Sequence, residues 1–430
     1  MIVLIFFGIT LYSCKNDTTP LILESHEIQN VIQHMTDIMV HDVTNPPLAA
    51  RFFAYTCLAG YEVVAQNDST MHSMHGVLND YPTTIHYPIS TINYQMAAIL
   101  AMLEVAKKMQ PSGKLLGDYE AKWLDSCQSL GASKQVMDNS LKYAEAVSQQ
   151  ILAYAKVDKY NRISNYPRYT PSTQEGSWYP TPPGYMAPVE PYFNTVRPFT
   201  LDSAAQYKPA APIIFSNNKK GAFYQLVNEV YSQNLSEDHQ EIAAFWDCNP
   251  FALEDNGHLM VGMKKISPGA HWMGIAGIAC EKEKSSFAKT LQVHTIVAIA
   301  LMDGFVCCWD EKFRSNRIRP ETAIRKYIDP TWKPFLQTPP FPEYLSGHST
   351  ISAAAATVLT HFFGDHYAYT DKAEERFGLK SRSFTSFRQA AEEAGISRFY
   401  GGIHFMDAIT NGQKQGTLVG ENVIKHIAKQ

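Results

Sequence analysis

Charge is scarce in this sequence. Only 18% of its 430 residues are Asp, Glu, Lys or Arg, below the roughly 25% of ordinary soluble domains, which excludes a charge-rich disordered chain. A basic excess is missing too. The 37 Lys and Arg against 41 Asp and Glu leave a net charge of −4, which argues against a general nucleic-acid binder. Seven cysteines are too few and too scattered for a disulfide scaffold. No Cys-x2-Cys or His-Glu-x2-His occurs, so no zinc motif is read, and no Gly-x4-Gly-Lys-Ser/Thr phosphate loop. There is no repeat of fixed period and no low-complexity tract. Between residues 24 and 157 no long stretch alternates with period two, so no sheet is expected there. The length admits two or three domains or one large helical one, and a sizeable core without staples.

The first residues read as an address. Residues 2–10 are almost purely apolar, too short to span a bilayer, which takes about 20 residues, but of the length of a signal-peptide core. Leu11-Tyr12-Ser13-Cys14 closes the run as a bacterial lipobox does. That pattern predicts lipidation at Cys14 and a polar tether over residues 15–20; a buried strand is the plainer alternative. No Lys or Arg precedes the run. Beyond it, residues 291–309 come closest to a membrane span but are interrupted by His294 and Asp303. The expectation is an exported bacterial lipoprotein on the periplasmic or cell-surface side, touching membrane only through its lipid. Oligomeric state is left open.

Residues 24–157 read as helical. Ile28, Val31, Ile32, Met35, Ile38 and Met39 recur at helical spacing, and Asn45-Pro46-Pro47 is expected to end that helix. Further helices are predicted over 48–65, 92–109 and 133–155. Residues 167–212 hold ten of the 24 prolines among many aromatics, which forbids long helices and argues against disorder. This segment reads as an ordered wrap, either walling a substrate channel or acting as a structural strap. Helices resume over 221–233, 237–246, 271–281, 285–309, 349–363 and 383–394, with a last one at the C-terminus. There Gly412, Gly416 and Gly420 fall four apart, a face made for close approach by another helix. The predicted organisation is a leader (1–20), a helical N-terminal half with the wrap (21–212) and a C-terminal helical bundle (213–430).

The chemistry concentrates in three segments. Residues 312–326 carry Lys312, Arg314, Arg317, Arg319, Arg325 and Lys326 against Glu311 and Glu321; alone, such a run is usually a solvated helix face. Ser346-Gly347-His348 opens an Ala-rich helix, where a hydroxyl, free backbone N–H groups and an imidazole meet an anion. Ser397-Arg398 and His404 flank Gly401-Gly402, a pair that permits a turn pointing both side chains inward; alone, His404 reads as a structural histidine. Cys307-Cys308 reads as core packing. His258, His271 and Trp272 are read as structural, with pocket lining as the alternative.

Taken together, Lys312-x6-Arg319-Pro320, Ser346-Gly347-His348 and Ser397-Arg398-x5-His404 resemble the signature shared by vanadium-dependent haloperoxidases and type 2 phosphatidic acid phosphatases. The likeness extends to the helical first half, the Trp178-x-Pro-x-Pro-Pro wrap and Phe245-Trp246-Asp247, as in bacterial soluble haloperoxidase-like proteins. It implies an all-α fold of two helical bundles in one compact unit, with the anion site in the C-terminal bundle. It also implies that Lys312, Arg319, Ser346, Gly347 and Arg398 bind vanadate, with phosphate competing. In such a site His404 is the apical ligand of vanadium, His348 the acid–base and Lys312 the residue polarising bound peroxide. Hydrogen peroxide and halide are the implied substrates, with Phe341 near the halide. The cousin reading is a phosphomonoesterase with His404 as nucleophile toward a phosphate ester. Three departures stand out: Leu345 where Pro is usual, Phe405 where Trp is frequent, and Asp407 three rather than four residues past His404. Asp247 is the expected alternative partner of Arg398.

Overall fold

The computed structural model describes residues 21–83, 87–255, 260–263 and 265–428. The leader with Cys14, and His258, lie outside these residues. Helices α1 (His26–His41), α2 (Pro46–Ala65), α3 (Tyr94–Met109), α4 (Leu116–Ser129) and α5 (Lys134–Lys156) make the first half. After the wrap come α6 (Ala222–Tyr231), α7 (Glu237–Phe245), α8 (Pro268–Lys282) and α9 (Phe287–Ser315). The chain ends with α10 (Pro320–Tyr327), α11 (Gly347–Phe363), α12 (Phe387–Tyr400) and α13 (Met406–Ile427). Among the described residues, the only sheets are two small antiparallel hairpins. One joins β1 (Leu253–Asp255) to β2 (Met260–Gly262), and the other β3 (Tyr369–Asp371) to β4 (Arg382–Phe384). The fold is all-α.

Three local expectations need correction, one being the helix over 383–394: residues 382–384 pair as a strand, and α12 runs from Phe387 to Tyr400. Asn45-Pro46-Pro47 starts a helix instead of ending one: α1 has already stopped at His41, and the Asn45 side chain accepts from Leu48 N at 2.9 Å. Proline suits the first helical turn, whose N–H groups have no intrahelical partner. Residues 285–309 fall short of the real α9, which runs to Ser315 and stops where Asn316 adopts φ 46°.

Helix α9 is long and apolar enough to cross a membrane, yet 94% of its apolar window is buried inside the protein. It is the central post of the core, packed by α2 on one side and by α8, α11 and α13 on others. One continuous apolar cluster includes residues from both halves of the chain. The expected glycine face is real. A Cβ on Gly416 would come within 1.9 Å of the Thr350 carbonyl oxygen, and one on Gly420 within 2.8 Å of that of Ala354. Helix α13 therefore lies directly against α11, whose N-terminus begins the site.

The wrap straps this core. Trp178 N donates to Asn316 O at 2.8 Å, Val189 N to Pro340 O at 3.0 Å and Trp309 Nε1 to Val189 O at 3.1 Å. Buried Asp303 of α9 accepts from Phe199 N and Thr200 N at 2.7 and 2.8 Å.

Candidate active site

Local chain geometry gathers the three segments. The left-handed Asn316 breaks α9 just after Lys312, so the chain doubles back to place Arg319 at the cap of α10, with Pro320 in its first turn. Ser346 caps α11, its Oγ accepting from Ser349 N at 3.3 Å and from Ser349 Oγ at 2.8 Å. The Ser346 hydroxyl proton stays free to meet an anion, as does the N–H of Gly347 at the helix start. Gly402, at φ 73°, turns the chain after α12 so that Arg398 and His404 face the same space.

That space is a small cavity of about 30 Å³ lined by Gly347, His348, Arg398, His404, Phe341 and Trp309, among others. Lys312, Arg319 and Ser346 stand behind this lining. The Phe341 ring lies 5.0 Å from Lys312 Nζ and 5.1 Å from the Arg319 guanidinium carbon. No residue of 167–212 lines this cavity, so the wrap acts here as a strap. His271 and Trp272 are buried beside the site without lining it.

The cations are held by neutral groups. Lys312 Nζ donates to the carbonyls of Pro342, Glu343 and Leu345. Arg319 donates to Phe341 O at 2.8 Å, to Ile403 O at 2.9 Å and to His404 Nε2 at 3.1 Å. Arg398 donates to Ser397 Oγ and Ala243 O, and its nearest carboxylate oxygen, on Asp247, is 3.9 Å away. Asp247 is thus a neighbour of Arg398, as expected, but pairs more closely with Lys265. Burial and mutual repulsion push Lys312 down to about 7 and Arg319 down to about 9, and burial lowers Arg398 too.

Sequence reasoning missed the group that orients His404. Glu343 Oε1 lies 2.8 Å from His404 Nδ1 and accepts from Phe405 N at 2.9 Å, while Oε2 receives Arg317 Nε at 2.7 Å. Arg317 in turn makes a two-pronged pair with Asp407 at 2.6 and 2.7 Å. The displaced Asp407 therefore does steady the site, through Arg317 and Glu343. Burial and the charges of Arg319, Lys312, Arg398 and Arg317 hold His404 well below the ordinary histidine range, hence neutral. A carboxylate only accepts, so Nδ1 carries the proton and Nε2 offers its lone pair. His348 is likewise held low, by burial and then by Arg398 and His404.

The donor set fits an oxyanion. Arg319 Nη2 and His348 Nε2 are buried without any hydrogen-bond partner, a costly arrangement in an apolar interior. Buried cations, a capping hydroxyl, a helix N-terminus and a basic imidazole nitrogen together suit a tetrahedral or trigonal-bipyramidal anion such as vanadate or phosphate.

Fold and site define a helical oxyanion-binding protein. The family described as the VCPO second helical-bundle domain matches residues 292–430. Among solved structures, the first bacterial vanadium-dependent iodoperoxidase is similar at 43% identity, over 95% of this chain and 98% of that one, with a TM-score of 0.89. A bacterial vanadium-dependent chloroperoxidase, solved in holo and apo forms, shares the fold at 14% identity. The TM-scores are 0.66 and 0.65, over 90% of this chain and 93% and 95% of those. No curated protein matches. The chain belongs to the vanadium-dependent haloperoxidase family.

Proposed function

We propose that this protein oxidises iodide with hydrogen peroxide at a vanadate held by Lys312, Arg319, Arg398, Ser346 and Gly347. The observation that carries the reading is the set of three buried cations, none hydrogen-bonded to a carboxylate, gathered around a neutral imidazole whose Nε2 is met only by the Arg319 guanidinium. Family membership supports vanadate as the anion, and the iodoperoxidase at 43% identity supports iodide. When bound, vanadate supplies a Lewis-acidic centre that activates peroxide toward halide. The chain's own work is electrostatic and positional. Glu343 fixes the His404 tautomer, the cations balance the anion, and His348 exchanges a proton at Nε2. Phe341, Trp309 and Phe305 give the cavity apolar walls.

The test is vanadate-reconstituted protein assayed with peroxide and iodide, bromide or chloride in turn. Iodide oxidation exceeding bromide oxidation is expected. No halide oxidation at any pH, together with phosphate release from a generic ester, would overturn the reading in favour of the phosphatase. We also propose lipid attachment at Cys14, supported by the lipobox-like ending of the apolar run. Labelled palmitate should enter the wild type and not Cys14→Ser; label retained in the variant excludes it.

A further inference from the structure

Beside the oxyanion cavity, three side chains from distant parts of the sequence converge. Cys248 lies just after α7, His271 in the first turns of α8, and Glu374 just after β3. All three are buried. The Cys248 Sγ to His271 Nδ1 distance is 3.4 Å, His271 Nδ1 to Glu374 Oε1 is 3.4 Å, and Cys248 Sγ to Glu374 Oε1 is 3.5 Å. On its other face, His271 places Nε2 2.8 Å from Asp371 Oδ2.

The triangle has the size that a common metal ion imposes. Zinc bonds of about 2.3 Å to sulfur, 2.0–2.1 Å to nitrogen and 2.0–2.2 Å to oxygen, opened to tetrahedral angles, separate the donors by roughly 3.3–3.6 Å. By contrast, 3.4 Å is long for an imidazole–carboxylate hydrogen bond. The Asp371 contact is the outer carboxylate that metal-binding histidines usually have, fixing the ring so that Nδ1 faces the ion. A sulfur, nitrogen and oxygen donor set selects zinc over magnesium or calcium. The ligands lie 23 and 126 positions apart, so no short motif announces them.

We propose that Cys248, His271 and Glu374 form a zinc site, with Asp371 orienting His271. Three protein ligands leave one position for water. The site pins the segment 246–249 to α8 and to the chain after β3. That segment is one wall of the oxyanion cavity: Asp247 faces Arg398, and Asp247, Cys248 and Asn249 line the cavity itself. The metal thereby acts as a clamp on the wall that supports the catalytic groups.

The full-length protein, stripped with a chelator, is titrated with Co²⁺ followed by absorption and with Zn²⁺ by calorimetry. One equivalent of Co²⁺ is expected to give a thiolate-to-cobalt charge-transfer band that one equivalent of Zn²⁺ abolishes. The band should be lost in Cys248→Ser and kept in His404→Ala, which separates this site from the vanadate pocket. Asp371→Asn should weaken zinc affinity about 10–100-fold. Glu374→Gln keeps the thiol and the side-chain shape, and should weaken zinc at least as much with circular dichroism unchanged. Absence of the band, its persistence in Cys248→Ser, or unchanged zinc affinity in Glu374→Gln would overturn the proposal.

Discussion

His404 and His348 share a cavity and a neutral charge state but differ in what surrounds them. His404 is fixed from behind by Glu343, whereas His348 Nε2 has no partner. His404→Ala is therefore expected to abolish vanadate binding by calorimetry, and halide oxidation with it. His348→Ala should keep vanadate and lower turnover by about 10²–10⁴-fold, the ordinary worth of acid–base assistance. Full activity in His404→Ala would show that the site lies elsewhere. Glu343→Gln removes the carboxylate that sets the tautomer and leaves Arg317 short of a counter-charge. Vanadate affinity should fall about 10–100-fold, and an unchanged affinity would mean that the Arg319 contact alone orients the ring.

At the scale of elements, the contact between α11 and α13 rests on small residues. Gly416→Ala places a methyl group against backbone that has nowhere to go, so a loss of about 1–3 kcal/mol is expected in urea unfolding. Because α11 opens at Ser346, the loss should come with weaker vanadate binding; a neutral variant would mean that the helices slide apart freely. This face was legible in the sequence because glycines at a four-residue period have few other uses. The residues that meet at the cavity were legible for a similar reason: the spacing of Lys312, Arg319, Ser346, Arg398 and His404 carries the pattern. Glu343 and Arg317 were not, since an ion pair across the fold leaves no local mark, and a carboxylate beside tyrosine in a loop looks ordinary. Helix α4 was missed because its face is mostly polar around Trp123 and Cys127, and α10 because its 8 residues are too few to show a period. The Cys-His-Glu triangle was invisible for the same reason as Glu343.

The whole molecule should report both its buried anion site and its buried histidine. An anion bound only by the folded chain stabilises it by about 2.7 kcal/mol at a hundredfold excess over its dissociation constant. Added vanadate should raise Tm, and phosphate should compete; no shift with either would contradict the assigned pocket. His294, in the first half of α9, is fully buried, and burial lowers it to about 4 from 6.5. Between these values the unfolded chain binds more protons than the folded one, so stability falls as pH falls from 6.5 toward 4. The share of His294 alone is about 3 kcal/mol over that window, and the depressed His348 and His404 add loss of the same sign. Denaturant unfolding from pH 7 to pH 4.5, compared between wild type and His294→Gln, measures that share; the variant should have the shallower slope.

The central position of α9 also decides how the protein can be taken apart. A fragment begun at residue 213 would carry the helix without α2, its partner from the first half. The helix left partly uncovered is long and apolar enough to span a bilayer, so such a fragment is expected to aggregate or insert into lipid instead of folding. Co-expression of residues 21–212 should rescue it, because the two pieces are the complementary sides of one interior.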